Sequence, residues 1–563
     1  MVRPIDLLRA DRKEELWQMC CGFIDLSLEQ FMTIQKRLLM EQIGLLKNSE
    51  LGRKVMHGAM PETVEEFREQ VPLTTYGDYF PELAQRREDV LPAKPVKWVR
   101  TSGYTGEYDV KWVPMSEEVP MSESFCSACE KVCGGLAILA LCDSRGDVSK
   151  LKEHLKILFT LAPPPYASGA IGEFVQGAIG CDFLPARSAD MPFTEMIKVG
   201  FEEALSRGLD GFGGLPSVLV AVGEQLRQRS GKINLRSLLS HPKALLRVSK
   251  GLIKSKLAHR PMLPKDLWSI KGILGGGTDS AIFQKRIEEL WGKAPLELYA
   301  GTEGGVYATQ TWNHGSMTFV PNLNFFEFIP EREWLKWQID HSYQPKTILL
   351  DEVKAGESYE IVITNLHGGI MTRYRLGDMI RISSLRNEKS NIDIPQMVFE
   401  RRADELIDIA GFVRLTDKLI GEAIENSGIP YVDWAARKEM VGDKAILHLY
   451  LELRDSYIAS EKGMVGAIYD QIMNLEGKYP YNFYSVYGEP ETVLGSKPVK
   501  VTLLPQGAFS SYISQQQAEG AEVGHLKPPH MNPSDEVLSL LGAAKRVEIG
   551  AAPVTEAERV AVR

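Results

Sequence analysis

From about residue 95 onward, short β-rich runs alternate with helical stretches, and this alternation limits the fold more than any other feature of the chain. Residues 96–100, 136–142 and 157–161 read as strands; residues of about 116–132, 195–207 and 279–291 read as helices. Strands separated by helices build an α/β sheet, because each helix must cross back over a sheet face. Before that region, residues 5–48 read as helical: Leu16, Phe23, Ile24, Phe31 and Leu38 recur at helical spacing among charges. Thr63 is placed to cap a short helix over 63–71, ahead of Glu65 and Glu66. Residues 316–328 and 357–383 are strand-rich with few helices, which makes the sheet there antiparallel or barrel-like. A boundary is expected near residues 400–404, where a strand ends in the charged run ERRADE. The expected organisation is a large N-terminal α/β domain (1–400) and a small mobile α/β domain (401–532). A tail, helical or disordered, follows over 533–563. The small domain reads as a helix (416–426), a strand (445–453), a helix (461–475) and a strand (499–504).

A chain of 563 residues is long enough for two or more folding units. With 44% hydrophobic and 25% charged residues it can bury a core without disulfides or metals. The net charge of −9 and the pI of about 5.8 give no basic footprint for nucleic acid. Seven scattered cysteines do not form a secreted disulfide framework. The N-terminus is charged throughout, with no apolar signal core. The longest apolar stretch, near 134–142, is far shorter than the ~20 residues that span a bilayer. These features predict a cytoplasmic protein with neither membrane nor nucleic-acid partners.

Four glycine- or charge-rich segments carry the candidate chemistry. Thr101-Ser102-Gly103-Tyr104-Thr105-Gly106-Glu107 follows a strand. Its glycines let backbone N–H groups close on phosphate oxygens, its hydroxyls add donors, and Lys111 lies just downstream. It is not a Walker A loop, and an ordinary turn fits it equally well alone. In Tyr299-Ala300-Gly301-Thr302-Glu303-Gly304, the tyrosine is suited to packing on a base and Thr302 to an α-phosphate. Glu303 is suited to Mg²⁺, which prefers few carboxylates plus phosphate and water. A glycine-rich loop with a solvated glutamate is the plain alternative. In Arg373-Tyr374-Arg375-Leu376-Gly377-Asp378, a carboxylate at a strand end can accept from two ribose hydroxyls; otherwise Arg375 and Asp378 form a surface pair. In Arg402-Ala403-Asp404-Glu405-Leu406-Ile407-Asp408, Arg402 can reach a nucleotide and Asp404 can act as a hinge, or the run is a plain linker.

In order and separation these segments resemble the motifs of the adenylate-forming superfamily, which includes acyl-CoA synthetases, luciferase and peptide-synthetase adenylation domains. The doubled arginine at 373 and 375, the helical N-terminus and the run His525-Leu526-Lys527-Pro528-Pro529 are most similar to the auxin-responsive acyl acid amido synthetase family and its bacterial relatives. The resemblance implies a ligase that uses ATP and Mg²⁺ to adenylate a small carboxylic acid. The acyl group then passes to an amino acid or other amine; thioester formation with coenzyme A, or a degenerate nucleotide-binding protein, are the alternatives. It also implies roles. Lys527, Glu303 and Arg402 would be catalytic, with Glu303 holding Mg²⁺. Thr101, Ser102, Gly103, Thr105, Gly106, Lys111, Tyr299, Thr302, Arg375 and Asp378 would bind the nucleotide, and Asp404 would be the hinge. Residues 163–169 are expected at the acid pocket. Three positions depart from the superfamily pattern: Tyr104 replaces Ser or Thr, the lysine expected two residues beyond Glu107 comes later as Lys111, and Asp408 stands where many acyl-CoA synthetases have Lys. Cys126, Cys129 and Cys133 share a helical face but lack a fourth ligand at metal spacing, which favours packing over a metal site.

Overall fold

The opening helical stretch folds in pieces. Pro4–Arg9, Lys13–Cys21 and Leu28–Lys47 are α-helices, with a tight turn at Gly22–Asp25 between the last two. Ser27 restarts the helix: its hydroxyl accepts from Gln30 N while the Gln30 side chain accepts from Ser27 N, a capping box that satisfies two otherwise orphaned donors. Thr63 caps the helix Val64–Gln70 as expected, accepting from Glu66 N at 3.1 Å. The computed structural model describes residues 2–101, 110–116, 119, 123–161, 163–186, 191, 193–214, 216–229, 241–276, 280–340, 342–402, 406–409, 413–441, 444–454, 461–476, 498–518, 530–533 and 535–543. They fall into two compact units, Met1–Ala403 and Asp404–Arg563.

The first unit is built on one large sheet. After a small hairpin of β1 (Pro95–Arg100) and β2 (Trp112–Ser116) come β3 (Lys156–Thr160), β4 (Asp182–Leu184), β5 (Gly211–Gly214), β6 (Gly272–Gly276) and β7 (Leu296–Gly301), which pair in parallel. Then β8 (Gly305–Thr309), β9 (Met317–Phe319), β10 (Asn324–Pro330), β11 (Ser358–Asn365), β12 (Tyr374–Ser384) and β13 (Gln396–Arg402) pair antiparallel. The order β10-β11-β12-β13-β9-β8-β7-β6-β5-β3-β4 joins both halves in one eleven-stranded sheet, so the antiparallel alternative for the strand-rich region is the one realised. β10 is buried along its whole length, and its two polar residues, Asn324 and Glu327, are buried with it.

One strand expectation fails. Residues 136–142 are not a strand: Phe125–Leu141 is a single helix, capped by Ser124. Nearly every residue of its second half is buried, so no polar face marks the helical period, and a buried helix cannot then be told from a buried strand by pattern. Gly135 lets this helix approach Lys13–Cys21 closely; a Cβ there would sit 2.4 Å from the Cys20 carbonyl oxygen. Cys20 and Cys21 are therefore packing residues.

The second unit contains the hairpin β14 (Leu406–Ile409)–β15 (Val413–Thr416). Beside it is a sheet ordered β16 (Tyr431–Val441)-β17 (Lys444–Leu453)-β18 (Val499–Leu503). Leu447, Leu449 and Leu451 on one face share a core with helices Asp417–Asn426 and Glu461–Glu476. Ala435 and Tyr450 on the other face pack with Phe509 of helix Ala508–Ala518 and Leu538 of helix Asp535–Leu540. Strand β16 is absent from the sequence expectation, because Asp433, Arg437, Lys438 and Glu439 interrupt its apolar pattern.

At the start of β12, Arg373 takes a left-handed backbone (φ 44°), unusual for a residue with a side chain. Its guanidinium is buried against Glu327 of β10, with N–O distances of 3.0 and 2.8 Å, and side-chain exposures of 6% and 1%. Arg373 also donates to the carbonyl oxygens of Arg68 and Val71, and Glu327 accepts from Thr347 Oγ1 at 2.6 Å. A buried ion pair is weak evidence for net stabilisation, but removing one partner strands the other charge in the core. Arg373→Leu is expected to lower unfolding stability by about 3–5 kcal/mol, and Arg373→Leu/Glu327→Leu by clearly less. Denaturant unfolding of the two variants, compared with wild type, measures both; equal midpoints for the single variant and wild type would remove the pair from this role.

Candidate functional site

The turn between β7 and β8 carries Thr302, Glu303 and Gly304, and two buried asparagines hold it. Asn324 Nδ2 donates to the Gly304 carbonyl at 2.8 Å. Asn365 Nδ2 donates to the Glu303 carbonyl at 3.0 Å and to Asn324 Oδ1 at 2.9 Å. Gly304 is required there: a Cβ would come within 2.6 Å of both Asn324 Oδ1 and Tyr307 Cε1. With its backbone tied from below, the turn presents the Glu303 carboxylate to a cation. Lys111 Nζ lies 3.2 Å from Glu303 Oε1 and 3.3 Å from the Tyr374 hydroxyl, which is itself 3.5 Å from Glu303 Oε1. The Tyr76 ring lies 5.5 Å from the same ammonium. Thr101 fixes the lysine backbone: Lys111 N donates to Thr101 Oγ1 and Thr101 N to the Lys111 carbonyl.

A second pair is close in the same unit. The Tyr299 hydroxyl donates to Asp378 Oδ2 at 2.6 Å, and its ring lies beside Tyr307 and Phe399. Asp378 is opposite Arg402 in the β12–β13 register. Thr302 and Gly301 also close a small apolar cleft lined by Val99, Met115, Cys129, Ala167, Phe174 and Val306. Ala167 belongs to the stretch expected at the acid pocket. Burial pushes the Cys129 and Cys133 thiols well above their usual pKa, so both line the cleft as neutral, apolar groups. Among the described residues, no group of three or more histidines, cysteines or carboxylates is placed to hold a metal.

Of the expected site residues, Thr101, Lys111, Glu303, Tyr299, Thr302 and Asp378 are placed as described. Arg375 is different. Its guanidinium pairs with Glu360 at 2.6 and 2.9 Å and lies 3.8 Å from the Trp337 ring centroid. Strand neighbours point to opposite faces. Tyr374 therefore meets Glu303 while Arg375 turns into the framework, paired neither with Asp378 nor with the Lys111 cluster. Ser102, Gly103, Thr105, Gly106, Asp404 and Lys527 lie outside the described residues, and of Arg402 only the backbone is described. Tyr76, Asn324, Asn365 and Tyr374 were not expected. For Tyr374 the signal was in the sequence, on the same strand face as Leu376 and Asp378; the asparagines left none, because their role is set by contacts across the sheet.

In the second unit, His530 follows the lysine run. Its Nε2 lies 2.8 Å from Asp433 Oδ1 and its Nδ1 3.2 Å from Asp417 Oδ1, with the ring stacked 4.5 Å from Trp434. Backbone bonds on either side, Ala436 N to the His530 carbonyl and Asn532 N to the Ala436 carbonyl, fasten this segment beside β16. Burial alone would lower the imidazole pKa, but the two carboxylates outweigh it and raise it to about 10. A raised folded pKa stabilises fully below the unfolded value of about 6.5, and that contribution is lost as pH climbs toward 10. Unfolding stability is expected to fall over that window, and less so in His530→Gln; identical slopes for both proteins would refute the assignment.

Residues 20–133 match the GH3 family N-terminal domain and residues 317–402 the GH3 family central domain. A jasmonoyl-L-amino acid synthetase of Nicotiana attenuata is 27% identical over 273 residues, 46% of this chain and 43% of its own length. A 4-substituted benzoates-glutamate ligase of Arabidopsis thaliana is 26% identical over 40% of this chain and 38% of its own. The chain thus spans about two fifths of the length of these curated relatives. Among solved structures, an acyl acid amido synthetase in complex with 2,4-DB superposes with a TM-score of 0.65 at 17% identity, covering 93% of this chain and 95% of its own. A 2-hydroxyisobutyryl-CoA ligase in its postadenylation state has a TM-score of 0.59 at 14% identity, covering 92% of each chain. The resemblance read from the motifs therefore has independent support: residues 20–133 and 317–402 match GH3 family domains, and the fold is shared with these two solved ligases.

Proposed function

We propose that this chain, with its GH3-type domains on an adenylate-forming fold, activates a carboxylic acid with ATP and passes the acyl group to an amino acid. What supports the reading most is the Lys111–Glu303–Tyr374 cluster, whose Glu303 sits on the same turn that closes the apolar cleft. A carboxylate is a poor electrophile. Attack of its oxygen on the α-phosphorus of ATP forms the acyl-adenylate and expels pyrophosphate. Attack of the amine nitrogen on the acyl carbon then forms the amide, with AMP leaving and one proton lost. No covalent bond to the protein is needed, so catalysis rests on alignment and on charge placed around the phosphates.

In this scheme the cleft takes the apolar part of the acid and leaves its carboxylate at Thr302. Tyr299 packs on the base and Asp378 accepts from the ribose hydroxyls. Lys111 and the loop Ser102–Gly106 bind phosphate oxygens. A single carboxylate, Glu303, suits Mg²⁺ that already carries phosphate and water ligands, and the ion would neutralise phosphate charge. Lys111, now against Glu303, would be free to turn toward phosphate. Arg402 and Lys527 contribute charge from the end of the first unit and from the second, about a hinge at Asp404. All seven cysteines are free thiols, in keeping with a reducing cytoplasm.

The test is pyrophosphate release with ATP, Mg²⁺ and a panel of acids, followed by mass spectrometry with amino acids or coenzyme A added. Acid-dependent release with an amide product is expected. A thioester product would move the chain to the acyl-CoA synthetases, and tight ATP binding without release for any acid would favour a protein that no longer catalyses. Glu303→Gln is expected to cut adenylation about a hundredfold or more at unchanged unfolding stability. Lys527→Ala should lower it too, and full activity in Lys527→Ala would remove that lysine from the reaction.

A further inference from the structure

The helix Pro242–Leu257 belongs to the first unit and takes no part in the proposed chemistry. Its inner face is small: Ala244, Val248, Gly251 and Ser255 are buried, and a Cβ on Gly251 would come within 2.7 Å of Leu267 and 2.9 Å of Met262. Its outer face is unusual. Leu246, Ile253 and Leu257 are 57%, 59% and 76% exposed, the three most exposed large hydrophobic residues among those described. Spaced seven and four residues apart, they fall on one stripe of the helix. Lys243, Lys250 and Lys254 lie exposed along one side of that stripe and Lys256 along the other. Arg247 turns inward, donating to the Ala204 carbonyl. The helix holds five basic residues and no acidic one, in a chain whose net charge is −9.

We propose that this helix docks the protein reversibly on an anionic lipid bilayer. Leu246, Ile253 and Leu257 enter the headgroup–acyl boundary, and the flanking lysines meet lipid phosphates and carboxylates. Charge complementarity selects this occupant. A second copy of the chain would bring like charges face to face, since a two-fold contact pairs the same patch with itself. A bilayer accommodates an apolar stripe edged by lysines, whose long stems lie along the apolar region while the ammonium groups stay at headgroup level. The contact is peripheral and separate from spanning; no described helix is long and apolar enough to cross a membrane. With three inserted side chains the binding is expected to be weak and salt-sensitive. It is independent of the proposed adenylation, because none of these residues lies in the cleft or the Glu303 cluster.

The experiment is co-sedimentation of the full chain with phosphatidylcholine vesicles, with and without about 30% phosphatidylserine, at low and near-physiological salt. Binding is expected only with phosphatidylserine and should weaken as salt rises. Leu246→Ser/Ile253→Ser/Leu257→Ser should lose about tenfold in vesicle affinity, and Lys250→Glu/Lys254→Glu a comparable amount. Unchanged melting and acid-dependent pyrophosphate release in these variants would show that fold and site are intact, since every substituted side chain is exposed. Failure of the wild-type chain to bind the anionic vesicles overturns the proposal, as does equal binding by the variants. Cross-linking of Leu257→Cys to an acidic protein, without vesicle binding, would assign the face to a protein partner instead.

Discussion

The buried pair between Arg373 and Glu327 fixes the strand on which the site depends. Arg373 sits in a backbone region that a side chain makes costly, and it stays there because five hydrogen bonds, to Glu327, Thr347 and the Arg68 and Val71 carbonyls, hold its guanidinium. Its backbone is tied as well: Thr74 N donates to the Arg373 carbonyl and Arg375 N to the Thr74 carbonyl. The segment before the sheet is thus joined to the start of β12 through side chain and main chain together. A one-residue slip would exchange the faces of the strand, sending Tyr374 toward Glu360 and Arg375 toward Glu303.

From that register the rest of the cluster follows. Tyr374 reaches the Glu303 carboxylate because residues 373 and 375 are committed elsewhere, the first to Glu327 and the second to Glu360 and Trp337. The opposite side of the site is held from the main chain. Asn324 and Asn365 grip the carbonyls of Gly304 and Glu303, so the turn needs no packing of its own side chains and can present them. Lys111, Glu303 and Tyr374 form a polar cluster beside an apolar cleft. That suits chemistry in which a phosphate and an acid must meet with water limited on one side.

The two units divide the work differently. The first is a continuous sheet whose parallel half brings strand ends and turns together and whose antiparallel half supplies the buried charges. The second is a small sheet with helices on both faces, and its C-terminal segment is fastened by His530 between Asp417 and Asp433. That anchor lies three residues after Lys527, so the chain beyond the lysine has a fixed end within its own unit.

Much was legible without coordinates. The alternation of strand and helix gave the α/β class because period and connection length are local properties. The segments around Thr101, Tyr299 and Asp378 stood out because glycines, hydroxyls and acids at fixed short spacings are local too. What the sequence could not settle was anything decided across the sheet. Residues 136–142 read as a strand because burial erases the polar face that distinguishes a helix. Arg375 read as a nucleotide ligand because its motif is local, while its partners Glu360 and Trp337 lie fifteen or more residues away. Asn324, Asn365 and Glu327 carried no signal at all. A buried polar side chain earns its place from the partner that satisfies it, and only the tertiary structure names that partner.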